Sequence, residues 1–230
     1  MKRRVMVLSA LLGVAGMVCA ADTPKETATD RMDNAAQVLK QIMATPDKGI
    51  PEEVMEHAKC VAVVPHMVKG GFVLGAEGGR GVATCRTAHG WSAPAFFSVE
   101  GGSFGFQIGV EGIDLVMIFQ NQKGMDDLLN SKFKIGASAS AAAGPVGRHA
   151  SADTDWKMNA EILTYSRAKG VFAGLSLNGA VVHADNDSMN AVYGPSATYR
   201  SVLTGEVPPT ASAHAFLSAV RGAKAESAQK

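Results

Sequence analysis

"VVPHMVKGGFVLGAEGGRGVATCR", residues 63–86, holds six glycines among apolar and basic residues. A loop that cradles phosphate needs a helix to begin directly after its glycines, and no helical spacing follows here. Alternation of apolar and polar residues follows instead. With Gly78 and Gly79 at the centre of a two-residue turn, where both need positive φ, Glu77 faces Arg80. That register puts Phe72 opposite Cys85, Leu74 opposite Ala83 and Ala76 opposite Gly81 on one apolar face, and turns Val73, Glu77, Arg80, Thr84 and Arg86 to the other. The stretch predicts a hairpin whose glycines make the turn and thin the sheet so that another element can approach closely.

The same pattern recurs on both sides of the chain's middle. "PAFFSVEGGSFGFQIGV" predicts a second hairpin with Gly101 and Gly102 at its turn, and "VFAGLSLNGAVVHAD" a third at Asn178–Gly179, aligning Leu177 with Ala180, Leu175 with Val182 and Ala173 with Ala184. "CVAVVP", "LVMIF", the small-residue run "KIGASASAAAGPVGR" and "MNAEILTYS" read as further strands. Met32, Ala35, Ala36, Leu39, Ile42 and Met43 recur at steps of three and four and predict a helix that stops before Pro46. "PEEVMEHAK" is a second helix, with Pro51 at its start and Glu52 and Glu53 at its positive end. "GMDDLLNSK" is a short third, and residues 210–224 close the chain with a fourth. These elements predict one α+β domain: a bent antiparallel sheet of hairpins, barrel-like, with flanking helices.

The first residues, "MKRRVMVLSALLGVAGMVCAAD", combine a basic start, an apolar run too short to span a bilayer, and "VCA" before Ala21, the pattern of an export signal cleaved after Ala20. Gly16 and Val18 are poor residues for lipidation at Cys19, so a soluble periplasmic or secreted product is expected, with residues 21–230 as its single domain and residues 35–193 as its core. Without Lys2, Arg3 and Arg4, the 22 basic residues fall to 19 against 21 acidic ones, a formal charge of −2 that offers nucleic acid no general attraction. Cys60 and Cys85 are able to pair in an oxidising compartment, but neither sits in a framework spacing, and the hairpin register turns Cys85 onto Phe72. Two buried thiols are the expectation.

Catalytic and metal-binding patterns are weak. "SRAK", Ser166 to Lys169, fits a serine-lysine nucleophile pair, but the companion motifs of such hydrolases are missing, and a turn between strands accounts for it. His183, Asp185 and Asp187 fail calcium-loop spacing at Met189, and read as a strand end running into a loop. His57, His66 and His89 stand apart, beside helix ends and turns, as surface residues. Trp91 and Trp156 suit a lipid interface by type, although Trp91 shares the parity of the apolar face.

"VAVVPHMVKGGFVLGAEGGRGVATCR", "WSAPAFFSVEGGSFGFQIGV", "AAAGPVGR" and "YSRAKGVFAGLSLNGAVV", in this order, resemble the SYLF family of yeast, animal, plant and bacterial proteins. The resemblance implies a non-enzymatic domain without a cofactor, here in a secreted bacterial-type member. It also implies partners: phosphoinositides in animal relatives, aided by a basic amphipathic segment at the domain's start, and actin filaments in yeast relatives. In this chain Asp30 and Asp33 balance Arg31 and Lys40, which weakens that segment. The expected function is binding of anionic phospholipid headgroups through Lys69, Arg86, Arg148 and Lys169, with a protein-interaction module as the alternative and a Ser166 hydrolase behind both.

Overall fold

In a computed structural model, residues 24–45, 49–146, 160–168, 171–172 and 177–225 are described. The export signal, Cys19, Arg148, Trp156, Lys169, and the partners Ala173 and Leu175 of the third hairpin lie outside them.

The architecture is α+β, as the pattern predicts. Helices α1 (Pro24–Met43) and α2 (Glu52–His57) precede strand β1 (Cys60–Thr87), the short β2 (Gly90–Trp91) and β3 (Ala95–Phe119). Then come α3 (Gln122–Leu129), β4 (Lys132–Lys134), β5 (Ala141–Ala143), β6 (Ile162–Ala168), β7 (Val171–Phe172) and β8 (Val181–Ala184). Helices α4 (Asn186–Tyr193), α5 (Tyr199–Leu203) and α6 (His214–Ala225) complete the chain. The strands run β2-β1-β3-β6-β5, and β8 joins a different part of β3 and carries β4 on its far side. All pairings of named strands are antiparallel except β5 with β6, which is parallel.

The first two hairpins are not where the glycine pairs placed them. Gly78 lies opposite Glu100 and Gly79 opposite Val99, while Gly101 and Gly102 lie opposite Glu77 and Ala76. Both pairs sit inside one long ribbon of β1 and β3, and the chain reverses beyond Thr87, where Gly90 has φ +116°. The ribbon curls into a half-barrel. Residues 60–85 of an extended strand would span roughly 80 Å, yet the Cα atoms of Cys60 and Cys85 are 4.0 Å apart and their sulfurs are bonded. The two are a disulfide rather than the expected thiols. The Arg86 N–H donates to the Lys59 carbonyl at 2.7 Å, so the start and end of β1 also meet by backbone. Two register shifts, between Val64 and Met67 and between Gly71 and Val73, supply bends, and His66 at the first takes φ 51° with its N–H on Asp114 Oδ1.

Close approach is what the glycines permit. A Cβ on Gly81 would stand 2.6 Å from the Val63 carbonyl oxygen and 2.6 Å from Phe97 Cζ, and one on Gly79 would stand 2.6 Å from Val64 Cγ1. The element that approaches is the first turn of the same strand.

Residues 115–119 of β3, Leu-Val-Met-Ile-Phe, are buried on both faces, as a continuous apolar run requires. Helix α1 lays Met32, Ala35, Leu39 and Ile42 into this core without residual exposure. Burial of Met32, Leu39 and Ile42 contributes about 1.5–3 kcal/mol each. The Asn178–Gly179 turn is present, with the Ala180 N–H on the Leu177 carbonyl, but β8 then pairs with β3 and β4. Asp187, expected in a loop, lies in α4, which Asp185 caps by accepting the Ser188 N–H.

Candidate functional site

Arg86 is held by the fold. Its Nε donates to the Ala58 carbonyl at 2.8 Å, and its Nη2 to those of Met55 and Glu56 at 3.1 and 3.3 Å, so it closes the carbonyl end of α2. Its guanidinium also stacks 4.5 Å over the Trp91 ring. The hairpin register put Arg86 across from Gly71 beside Lys69. Instead it lies opposite Trp91, Gly71 lies opposite Gly109, and Lys69 opposite Glu111. The two cations are therefore not strand neighbours. Arg86→Gln is expected to lower the unfolding free energy by about 2 kcal/mol, from orphaned carbonyls and the lost ring contact. Urea unfolding checks this, and an unchanged midpoint would return Arg86 to the free surface.

Lys69 is half-buried beside Val68, which is 51% exposed. Glu77, buried in the sheet with no partner for Oε2, has its carboxyl pushed above the ordinary range by burial, against a weaker opposing pull from Lys69.

Ser166 stands within β6 opposite Leu115, buried, rather than in the expected turn or at a helix start. Next to it, Arg167 pairs with Asp114 at 2.9 Å and reaches Gln41 of α1. Asp185 is committed to the buried Arg31 at 2.9 Å and to Ser188. Burial raises the Asp185 carboxyl, but the hydrogen bonds from Ser188 and Arg31 outweigh it and hold the carboxyl below the usual range. His57, His66 and His89 are exposed, as expected.

The described residues leave part of one side of the sheet uncovered. The registers set Lys132 opposite His183, His183 opposite Ser98, and Ser98 opposite Arg80. Residues directly opposite share a face, so this row crosses four strands over roughly 14 Å. The next row on the same face is Lys134, Val181, Glu100 and Gly78. Arg80, Lys132, Lys134 and Glu100 are exposed, His183 and Ser98 half-buried. The alternate residues Phe97, Val99, Val182 and Phe133 point into the core.

Helices α1 and α4 cover the neighbouring part of this face. Phe96 lies under the Arg31 guanidinium at 5.4 Å and beside Tyr193, whose hydroxyl donates to the Pro94 carbonyl. Beyond their edge no described residue covers the row, and Arg80 lines a recess of about 260 Å³ together with Asp30, Arg31, Asn34 and His66. The two rows thus hold three cations and an imidazole against one carboxylate, Glu100, with Asp30 of α1 at the recess beside Arg80. Sequence reasoning missed this row. The signal for one strand of it is the alternation Lys132-Phe133-Lys134, which straddles the end of the expected third helix at Lys132 and the start of the expected small-residue strand at Lys134.

The apolar side of α1 is not free to enter a bilayer while it is docked, because Met32, Ala35, Leu39 and Ile42 are in the core.

Residues 100–223 match the family described as Ysc84, Las17-binding protein actin regulator. The chain is 32% identical over 186 residues to SH3 domain-containing YSC84-like protein 1 of Rattus norvegicus, covering 78% of this chain and 54% of that protein, and 31% identical over the same length to its Homo sapiens counterpart. LAS seventeen-binding protein 3 of Saccharomyces cerevisiae is 31% identical over 167 residues, 71% of this chain and 36% of that one. The chain spans about half the length of the animal relatives and about a third of the yeast one.

Proposed function

The chain belongs to the Ysc84/SYLF family, and from that membership we propose that it is a non-enzymatic domain that holds to anionic phospholipid surfaces with its open sheet face. The observation that carries this reading is the row of Arg80, His183 and Lys132 with Lys134 beside it, displayed on rigid strands beyond the cover of α1 and α4. A basic residue near an anionic membrane contributes about 1 kcal/mol. Fixed on a sheet, these cations meet the surface together with little ordering cost. Lys69 beside exposed Val68 adds a mixed basic and apolar contact, and Arg148 and Lys169 are assigned to the same role by charge. The signal-like start and the Cys60–Cys85 bond support an oxidising compartment outside the cytoplasm, where disulfides persist.

Sedimentation with vesicles tests the reading. Arg80→Gln with Lys132→Gln removes about 2 kcal/mol of attraction, so binding to phosphatidylglycerol-containing vesicles is expected to weaken roughly 30-fold at low salt, with unchanged melting. Parent binding should also fall steeply as salt rises. Binding that ignores salt and the double substitution overturns the proposal. The second reading, a protein partner, then takes its place; it is favoured by the words Las17-binding and actin regulator in the family's description and by β4, which among the described residues pairs only with β8.

A further inference from the structure

A recess of about 580 Å³ lies where the end of α3 meets β4, α4 and α5. Leu129 and Tyr199, both buried, form part of its wall. Its volume is that of a small-molecule site, roughly 300–1,000 Å³, but its rim is far more polar than most. Asn130, Ser131, Asn186, Asn190, Thr198 and Arg200 line it, and among the described residues no aspartate or glutamate does. Asn186 and Asn190 are one helical turn apart on α4, so their amides share a side. Neither amide has a side-chain partner among the described residues. Arg200 makes one long contact, Nη2 to Asn130 Oδ1 at 3.4 Å, which leaves most of its donors uncommitted.

One guanidinium with no acid beside it matches one negative charge, and amides that both donate and accept match hydroxyl groups. The recess also adjoins the basic row, since Ser131 directly precedes Lys132 and its carbonyl receives the Ala184 N–H. We propose that this recess takes a hydroxylated phosphodiester, with the phosphate on Arg200 and the hydroxyls on Asn186 and Asn190. The ligand is either a soluble glycerophosphodiester or the headgroup of phosphatidylglycerol, and for the lipid source the inference rests on the membrane reading above.

Vesicles of phosphatidylglycerol and of phosphatidylserine at equal surface charge offer the basic row the same field but differ in headgroup. The recess predicts binding to phosphatidylglycerol about fivefold tighter, the worth of one hydrogen bond. Asn190→Ala, at an exposed position, should erase that preference and leave phosphatidylserine binding unchanged, whereas Arg200→Gln, which removes the charge that meets the phosphate of either lipid, should erase the preference and weaken binding to both vesicles. Soluble glycerophosphoglycerol should shift the side-chain amide NMR signals of Asn186 and Asn190, and Arg200→Gln should abolish the shift. Equal affinity for the two vesicles with no shift overturns the recess and leaves the membrane reading standing, and so does a preference that survives both substitutions. Shifts with the soluble diester in a protein that binds neither vesicle establish the recess and overturn the membrane reading.

Discussion

Replacing Cys60 and Cys85 together by alanine is expected to lower the unfolding free energy by about 3.5 kcal/mol, the value for closing a loop of this length in the unfolded chain. The two residues are 25 apart in sequence and fully buried, and alanine avoids leaving a hydroxyl there without a partner. The loss concerns more than chain entropy, because the bond joins the two ends of β1 where the Arg86 N–H meets Lys59 and the Arg86 side chain closes α2. Guanidinium unfolding of the parent with and without reductant should reproduce the difference, with the reduced parent matching the double variant. Two free thiols titrated in the denatured, unreduced parent, or coincident unfolding curves, would restore the buried-thiol reading.

A comparable loss is expected from Gly81→Ala, about 3 kcal/mol, with Gly78→Ala within about 1 kcal/mol of the parent. The added Cβ at Gly81 meets the Val63 carbonyl oxygen, a backbone atom, at 2.6 Å, together with Phe97 and Val64 side chains, so relief requires the curled strand to open. At Gly78 the nearest atom is the Val99 carbonyl oxygen at 3.7 Å, and its φ is not positive. Thermal melting of the two variants separates the folded-over ribbon from a two-residue turn. In a turn, Gly78 would be the costly position and Gly81 the tolerant one, and that outcome would overturn the curl.

Those two glycines show where reading along the chain stops. Glycine serves a turn by reaching positive φ and serves packing by lacking a Cβ, and the sequence marks both uses with the same letter. Gly78–Gly79 and Gly101–Gly102 were read as turns because their neighbours alternate in the way a hairpin needs. Alternation is satisfied equally by a ribbon that runs straight through them. At Asn178–Gly179 the local reading held for the turn itself, where Asn and Gly both favour the conformation.

By itself, the sequence determined what depends on near neighbours. The three- and four-residue spacing of Met32, Ala35, Leu39 and Ile42 placed α1 and its buried face, Pro51 with Glu52 and Glu53 opened α2, and Leu115 to Phe119 gave a strand buried on both sides. Together with the resemblance, these carried the α+β class and the family. Asp185 and Gly194, a capping residue and a glycine, also mark the two ends of α4 in the sequence. Only the tertiary structure decided the rest. It bonded Cys60 to Cys85, set the Arg86 side chain on the carbonyls that end α2, and drew Arg80, Ser98, His183 and Lys132 into one row. Each of these rests on which residues the curl of β1 and the register of β3 bring opposite one another, and such contacts join residues tens of positions apart, beyond the few-residue span over which helical and strand periodicity carry information.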